Sequence, residues 1–431
     1  MMDEASYLSH TPPFDDFYTS TQVQRFEPVT GPLIDPFRRL YEFQINIDEI
    51  NKHIRFADLS ITISVVQNDD NKFITVAGAG QTAHEGAATS SLSNNILYTL
   101  FQNQKVYLNN ENISESYNLH HIQSYLYNLF SLSGAAQSSI SHAWGFYDDG
   151  NQIVSDTKQN PGFKSRNTLL KNSRRIVLKG PILSSIFMQN TPLIASNIKI
   201  ELERNNFERI LQTGIATGLK VRIEDIAIYL GISTIRDVYA AKMYKNLMTK
   251  PQQYFLNDTE MNYFTLTKGI TNFKQRLFCK TRPELILVAF QPLAIFNGSY
   301  DTNIYAFSDP GLSQMYFLSD SIKYPLGLGY SFDKVDKSYV DSYKNLHDNI
   351  GLDSLNFSLE NYPKHYFILG TDFTSEFGYS KHVRRPLKNF DNIVLYLDFL
   401  NKLTEDWVII TANYFSKTVT VNALKQSVVS Y

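Results

Sequence analysis

The sequence is poor in the residues on which several kinds of site depend. Its 431 residues include a single cysteine, Cys279, which excludes disulfide bonds within the chain and zinc sites built from several thiolates. Forty basic residues stand against 42 acidic ones, so the formal net charge is -2. A surface dedicated to wrapping nucleic acid needs an excess of Lys and Arg. We therefore expect no specific nucleic-acid binding. Cys279 itself is predicted to be a small core residue.

Long apolar runs are also missing. The longest, residues 285–296, is interrupted by Gln291 and Pro292 and falls short of the roughly 20 residues that cross a bilayer. The N-terminus carries Asp3, Glu4 and a polar run to Ser20, where a signal peptide needs basic and apolar regions. The sequence thus predicts no transmembrane segment and synthesis in the cytoplasm.

Motifs that carry a reaction are weak or missing. The fragment 78–80, Gly-Ala-Gly, lacks the third glycine of a dinucleotide-binding loop and is predicted to be a flexible loop. The sequence holds no Gly-x-x-x-x-Gly-Lys run to cradle a phosphate and no Gly-x-Ser-x-Gly elbow. Asp333 and Asp336 lack the glycine and the terminal Glu of a calcium loop. We therefore expect no catalytic, cofactor or metal site and no enzymatic activity.

Two kinds of paired polar residues allow a structural interpretation as well as a functional one. His120 and His121 are adjacent, so on a helix their side chains point about 100° apart and cannot easily share a metal ion. We expect them to contact solvent or another subunit. The acidic pairs at 69–70 and 148–149 stand beside Asn or Gly, where Asp stabilises turns.

The clearest positive signal is the period-2 pattern of β-strands. Tyr41, Phe43, Ile45 and Ile47 alternate with polar residues, which is typical of a strand with one wet face. The pattern that starts at Ile54 and Phe56 slips at Ala57 and resumes at Leu59, and this predicts a β-bulge. Further strands of the first half are predicted at 105–108, 175–178, 198–202 and 219–230, the last broken in phase at Asp225.

The second half repeats the order of elements found in the first. Helical spacing at 119–130 is matched by helical spacing at 339–346, and each helix follows a strand pair and precedes three strands. The strands of the second half are predicted at 262–267, 285–290, 315–322, 365–369, 393–399 and 407–421. Residues 131–170 show few periodic apolar positions and are predicted to be an outward loop.

This repeat predicts an all-β fold: two tandem eight-stranded jelly rolls, a double jelly roll, with short helices in the long loops. The expected boundaries are 1–38 for an extended N-terminal arm, 39–248 for the first jelly roll and 249–431 for the second. The arm is rich in Ser, Thr, Asp and Pro and is expected to lie outside the core and to order on a neighbouring subunit.

Aromatic residues are abundant, with 29 Phe and 27 Tyr. Tyr324, Tyr330, Tyr339 and Tyr343 fall in the long excursion of the second half. They either form a subunit interface, where tyrosine suits contacts that are partly exposed to solvent, or fix the excursion on its own domain. The sequence pattern leaves both interpretations open.

Four stretches of the sequence resemble a known family. They are LYTLFQNQKVYLNNENIS from Leu97, SRRIVLKGPILSSIF from Ser173, LIASNIKIELERN from Leu193 and PELILVAFQPLAIFNGSYDTN from Pro283. Together they span both halves, and in their succession of strand entries and turns they resemble the double jelly-roll major capsid proteins of polinton-like elements and adintoviruses.

The resemblance implies a structural protein of a virion, in which three chains form a hexon-like, pseudo-hexameric capsomer that tiles an icosahedral shell. It implies a homotrimer and contacts between capsomers. The other implied partners are a penton protein with a single jelly roll and minor or cement capsid proteins, which the arm would contact. The implied location is the capsid shell, after synthesis in the host cytoplasm and assembly in the nucleus or cytoplasm. The alternative is a tandem jelly-roll carbohydrate-binding protein or glycan-active enzyme that uses loop tyrosines such as Tyr330.

Overall fold

The computed structural model describes residues 17–29, 37–67, 90–149, 160–172, 175–213, 219–277, 279, 281–319, 321–325, 328–332, 338–350, 355, 357–374 and 393–430. The predicted loop at 78–80, the acidic pair at 69–70 and the pair Asp333 and Asp336 lie outside these residues.

The first half contains eleven described strands. They are β1 Tyr18–Phe26, β2 Leu40–Asn46, β3 Lys52–Gln67, β4 Ser90–Leu92, β5 Phe101–Leu108, β6 Glu111–Glu115, β7 Ile176–Pro181, β8 Leu193–Ile194, β9 Asn197–Arg204, β10 Leu211–Thr213 and β11 Leu219–Ile235. The described strands of the second half are β12 Gln252–Leu266, β13 Asn272–Arg276, β14 Leu285–Pro292, β15 Leu312–Ser319, β16 Ile322–Tyr324, β17 Tyr330–Ser331, β18 Ile368–Asp372, β19 Val394–Phe399, β20 Trp407–Val421 and β21 Ser427–Ser430.

Short helices occupy the connections. They are α1 Ile96–Thr99, α2 His120–Ser131, α3 Gly134–Gln137, α4 Pro161–Asn172, α5 Ser185–Met188, α6 Phe207–Ile210, α7 Asp237–Thr249, α8 Leu293–Asn297, α9 Val340–Ile350 and α10 Tyr362–His365. A 3₁₀ helix at Ile140–Trp144 follows α3. The long α7 connects the two halves.

The two halves have the same strand order. In the first half, the sheets run β1-β11-β3-β7 and β2-β9-β5-β6; in the second they run β12-β20-β14-β18 and β13-β19-β15-β16. In each half, these two orders contain eight strands. When these eight strands are numbered along the chain, both halves give one sheet of order 1-8-3-6 and one of order 2-7-4-5. All of these pairs are antiparallel. This is the jelly-roll topology, so the predicted double jelly roll is confirmed.

Alternating apolar residues build the core of each sandwich. In β2, Tyr41, Phe43 and Ile45 are fully buried, while Gln44 is exposed, as the period-2 pattern predicts. β20 is buried on both faces along its first seven residues, as a covered central strand requires. The helices predicted at 119–130 and 339–346 are α2 and α9, each between strands 5 and 6 of its roll.

The predicted bulge in β3 exists but lies earlier than expected. Gly231 pairs with Phe56 and Ile232 with Ile54, so Arg55 is the extra residue. Phe56 was expected to point inward; it is instead 37% exposed, and its ring lies against Gly231. Because Gly231 has no side chain, the Phe56 ring can lie directly over it. The phase break at Asp225 is confirmed, since Ile223 pairs with Ile63 and Asp225 with Thr62.

The expected arm and the expected outward loop both contain structure that the sequence did not predict. β1 lies inside 1–38 and is hydrogen-bonded to β11 as the first strand of the first roll. It was missed because its residues are mostly polar and exposed, so no apolar alternation marks it. Within 131–170, helices α3 and α4 and the 3₁₀ helix carry buried residues such as Trp144, Phe163 and Arg166. The other domain boundaries stay predictions.

Candidate interaction surfaces

The two jelly rolls touch at both ends. In an antiparallel sheet of order 1-8-3-6, the connections 1–2, 3–4, 5–6 and 7–8 all leave at one end, which we call the loop end. At the loop end, Asn303 and Tyr305 from connection 3–4 of the second roll contact Asp149, Thr99 and Tyr125 of the first roll. The rolls therefore stand side by side with their loop ends together.

The centre of the loop-end contact is a buried carboxylate. Oδ1 of Asp149 accepts a hydrogen bond from Nη2 of Arg166 at 2.8 Å. Oδ2 accepts hydrogen bonds from Nδ2 of Asn94 at 3.0 Å and from Nδ2 of Asn303 at 2.9 Å. Arg166 also donates from Nε to the carbonyl of Leu92 at 2.8 Å. The expectation that Asp149 merely stabilises a turn is wrong: its carboxylate joins the two rolls.

Arg166 and Asp149 are removed from water almost completely. Their side chains are 1% and 6% exposed. An ion pair this deep is stabilising only when its remaining hydrogen bonds are made, because desolvation costs several kcal/mol per ion. Asn94 and Asn303 make those bonds to the carboxylate, whereas the buried Nη1 of Arg166 makes no hydrogen bond within the described chain. The second roll thus supplies one of the hydrogen bonds to a charge that the first roll buries.

Aromatic residues surround this contact. The rings of Tyr125 and Tyr305 stack with centroids 4.2 Å apart and planes 7° apart. The hydroxyl groups of Tyr305 and Thr99 are 2.5 Å apart, and burial raises the pKa of Tyr305 well above its ordinary value. Arg209 of α6 donates from Nε and Nη2 to the carbonyl of Phe296 at 3.1 and 2.8 Å. These contacts fix the orientation of one roll against the other.

The opposite end has its own set of contacts between the rolls. The buried Nζ of Lys417 in β20 is bonded to Asp258 and to the carbonyl of Ile113 in β6. The hydroxyl of Tyr254 in β12 accepts a hydrogen bond of 3.0 Å from the backbone N–H of Ile194. Three further contacts join the rolls here: Lys425 to Asp48 at 2.9 Å, Lys425 to the carbonyl of Ile47 at 3.0 Å and Asn109 to Ser427 at 2.9 Å.

A groove of about 650 Å³ separates the rolls between these two contacts. Tyr127 and Phe130 of α2 line one side, together with Met188 of α5. Leu285 and Leu287 of β14 line the other side. The outer face of the second roll's 1-8-3-6 sheet is therefore turned towards helices of the first roll.

The two adjacent histidines lie inside the protein. His120 and His121, the first residues of α2, are both buried. Burial lowers the pKa of His120 to about 3 and the pKa of His121 well below its ordinary value, with Arg209 contributing to the second shift. The expectation of solvent or subunit contact is wrong, because α2 begins under the loop-end contact. Both rings are uncharged at neutral pH.

The tyrosines of the second excursion fix it on its own roll. The hydroxyl of Tyr339 donates to Oδ2 of Asp309 at 2.7 Å, and that of Tyr343 donates to the carbonyl of Phe357 at 2.8 Å. Tyr330 is 3% exposed and donates to the carbonyl of Gly370. Of the two interpretations of this cluster, the contacts favour the one within the domain. Tyr330 cannot offer a ring face to a glycan.

Cys279 lies where the sequence placed it, against the core, although it is only partly buried. Its Sγ accepts a hydrogen bond of 3.4 Å from Nδ2 of Asn413. Burial, with Glu260 nearby, raises the pKa of the thiol to about 12. The thiol therefore stays protonated at neutral pH and is a poor nucleophile.

Two other kinds of site are absent from the described residues. No group of three or more His, Cys, Asp or Glu side chains in the described ranges is arranged to hold a metal ion. Among the described helices, none combines the length and the apolar character that crossing a membrane requires.

The chain is a double jelly-roll protein. No protein-family model matches it, and no curated protein matches it in sequence. Solved structures share its fold along nearly the whole chain. The structure of the Sputnik virophage matches with a TM-score of 0.61 at 11% identity, over 98% of this chain and 90% of the other.

Two structures of viral major capsid proteins show the same likeness. The Faustovirus protein matches with a TM-score of 0.56 at 9% identity, over 95% of this chain and 91% of the other. The mavirus protein matches with a TM-score of 0.54 at 10% identity, over 100% of this chain and 95% of the other. At such low identity these likenesses show that the fold is shared.

Proposed function

We propose that the chain is a structural capsid subunit, the major capsid protein of a virus related to polinton-like elements or adintoviruses. Three copies form a pseudo-hexameric capsomer, and capsomers tile an icosahedral shell. The observation that supports this most directly is the pair of topologically identical rolls that contact each other at both ends. Two such rolls in each of three chains give six similar corners, which is what a hexagonal lattice position requires.

The fold shared with viral major capsid proteins supports the same proposal. The protein acts without a cofactor or a chemical step, and its function lies in its surfaces. Its partners are other copies of itself, a penton protein and minor capsid proteins, and it resides in the virion shell. The carbohydrate-binding alternative relies on exposed loop tyrosines such as Tyr330. Because Tyr330 is buried, its ring does not provide that support.

Native mass spectrometry and negative-stain microscopy of the purified chain test the proposal. We expect a species of three times the chain mass and particles with a hexagonal outline. An interface well above ~2,000 Å² per contact is typical of obligate oligomers, so the trimer should persist at micromolar concentration. A strictly monomeric protein at that concentration would contradict the proposal.

A further inference from the structure

A carboxylate without a cationic partner lines the inter-roll groove, the groove of about 650 Å³ between α2 of the first roll and β14 of the second. The carboxylate belongs to Glu284, the residue before β14, which is only 3% exposed. Within the described chain its side chain makes one hydrogen bond, in which Oε1 accepts from the hydroxyl of Ser416, and no ion pair. Buried carboxylates are normally paired or fully hydrogen-bonded, because removing a charge from water is costly.

The nearest lysine in the chain already has other partners. Lys417 follows Ser416 in β20, but its ammonium group is bonded to Asp258 and to the carbonyl of Ile113 in the first roll. Its charge therefore serves the contact between the rolls at the end opposite the loop end.

The groove also holds more hydrogen-bond acceptors than donors around Glu284. The hydroxyl of Ser416 has a single proton, and it faces two acceptors, Oε1 of Glu284 and Oδ1 of Asn257, the latter at 3.2 Å. Asn257 lines the groove as well. A ligand that fits here has to bring hydrogen-bond donors and positive charge. A primary ammonium group brings both, since it has three donors and no acceptor.

The rest of the groove is suited to an apolar body. Leu285 and Leu287 of β14 line it together with Met261 of β12, and Leu287 and Met261 lie opposite the same residue of β20. Tyr127 of α2 and Met188 of α5 line the side that the first roll forms. A volume of this size, with apolar walls and a few polar groups, is typical of sites for small organic molecules.

We propose that the inter-roll groove binds a small organic amine. The ammonium group of the ligand donates hydrogen bonds to the carboxylate of Glu284, and its alkyl or aryl body packs between the two rolls. Because one side of the groove comes from each roll, the bound amine contacts both rolls and stabilises the folded chain. The inference goes beyond the proposed capsid role and does not depend on assembly.

Phenylbutylamine is the probe, and isothermal titration calorimetry on the full wild-type chain at neutral pH measures its binding. Phenylbutanol has the same apolar body with a neutral hydroxyl, and phenylbutyrate carries a carboxylate instead. We expect the amine to bind at least about tenfold more tightly than the alcohol, because a hydrogen bond between charged groups is stronger than one between neutral groups. The carboxylate should not bind measurably. The amine should also raise the midpoint of thermal unfolding.

Three variants locate the site. Glu284→Gln removes the charge but keeps the side-chain length and an oxygen that can accept from Ser416. It should lower the affinity for the amine about tenfold, to that of the alcohol, and leave the alcohol unaffected. The control Glu405→Gln removes the same charge from an exposed residue outside the groove and should change neither affinity. Met188→Ala shortens the wall formed by the first roll, at a residue 37% exposed, and should weaken both ligands alike.

An amine that binds the wild type no more tightly than the alcohol would overturn the inference. An amine affinity that Glu284→Gln leaves unchanged, or that Glu405→Gln lowers as much, would place the recognised charge elsewhere and overturn it too. Unfolding midpoints without ligand check that each variant folds. If Glu284→Gln does not fold, Met188→Ala decides, since undiminished binding of both ligands to it would put the site outside the groove. These results leave the capsid proposal untouched, because the oligomeric state tests that proposal.

Discussion

The side-chain amide of Asn303 in the second jelly roll donates a hydrogen bond of 2.9 Å to the carboxylate of Asp149 in the first. The same carboxylate is paired with Arg166, and both charged side chains are buried. The first roll thus buries an ion pair whose carboxylate accepts one of its hydrogen bonds from the second roll. This dependence ties the stability of one roll to the presence of the other.

We expect Asp149→Ala to lower the free energy of unfolding by about 3–5 kcal/mol, because it leaves the guanidinium of Arg166 buried without its carboxylate. Urea denaturation measures the change. The matched control is Asp301→Ala, an exposed aspartate in the connection that carries Asn303, with an expected change under about 0.5 kcal/mol. Equal changes in the two variants would show that the buried pair does not stabilise the contact between the rolls.

The register of the first long alternation gives a second prediction. Phe43 is fully buried opposite Ile200, whereas Gln44 is exposed. Phe43→Ala should cost about 3–5 kcal/mol through lost transfer energy and the cavity left behind. Gln44→Ala should cost under about 0.5 kcal/mol. Both values come from urea midpoints, and similar costs for the two variants would mean that the faces of β2 are assigned wrongly.

The parts of the fold that the sequence predicted are those with local periodicity. The alternation from Tyr41 and the run that begins at Trp407 match β2 and β20, and helical spacing located α2 and α9. Apolar residues on one face leave a period in the sequence, since the covered face must stay dry along the whole element. The order of these elements was enough to predict two jelly rolls.

The missed features depend on contacts between residues far apart in the chain. β1 has no apolar face, so only its pairing with β11 defines it. Asp149 resembles a turn residue until Arg166 and Asn303 are placed beside it. His120 and His121 appear polar in sequence, and burial follows from the position of α2 under the loop-end contact. A local sequence pattern does not show which residues of the other roll will contact it.

The N-terminal region gives a third prediction, which follows from β1. Deletion of residues 1–16 retains the whole of strand 1, which begins at Tyr18, and serves as the comparison. Deletion of residues 1–36 removes strand 1 and exposes the edge of β11, so we expect a lower midpoint and aggregation. Thermal unfolding and light scattering compare the two truncations. If the longer deletion is as stable as the full chain, β1 contributes nothing to the first roll.

The buried histidines give a prediction about acid stability. Both are neutral in the folded protein because burial depresses their pKa values, to about 3 for His120, whereas an unfolded histidine titrates near ~6.5. The unfolded state therefore binds more protons below that pH. The two histidines therefore contribute their full stabilisation above about pH 6.5. As the pH decreases below that value, the free energy of unfolding falls by about 1.4 kcal/mol per histidine for each pH unit, until the folded-state pKa is reached.

We therefore expect the free energy of unfolding in urea to fall by about 3 kcal/mol between pH 7.5 and pH 5.5 on account of this pair. His121→Gln should remove about half of that pH dependence, whatever it does to stability at pH 7.5. His142→Gln serves as the control, because His142 is exposed on the 3₁₀ helix. In this control the part of the pH dependence that comes from the buried pair should be retained. An unaltered pH dependence in His121→Gln would mean that the His121 ring of the wild type takes up a proton without unfolding the protein. The loop-end contact would then have to open in acid while the rolls stay folded.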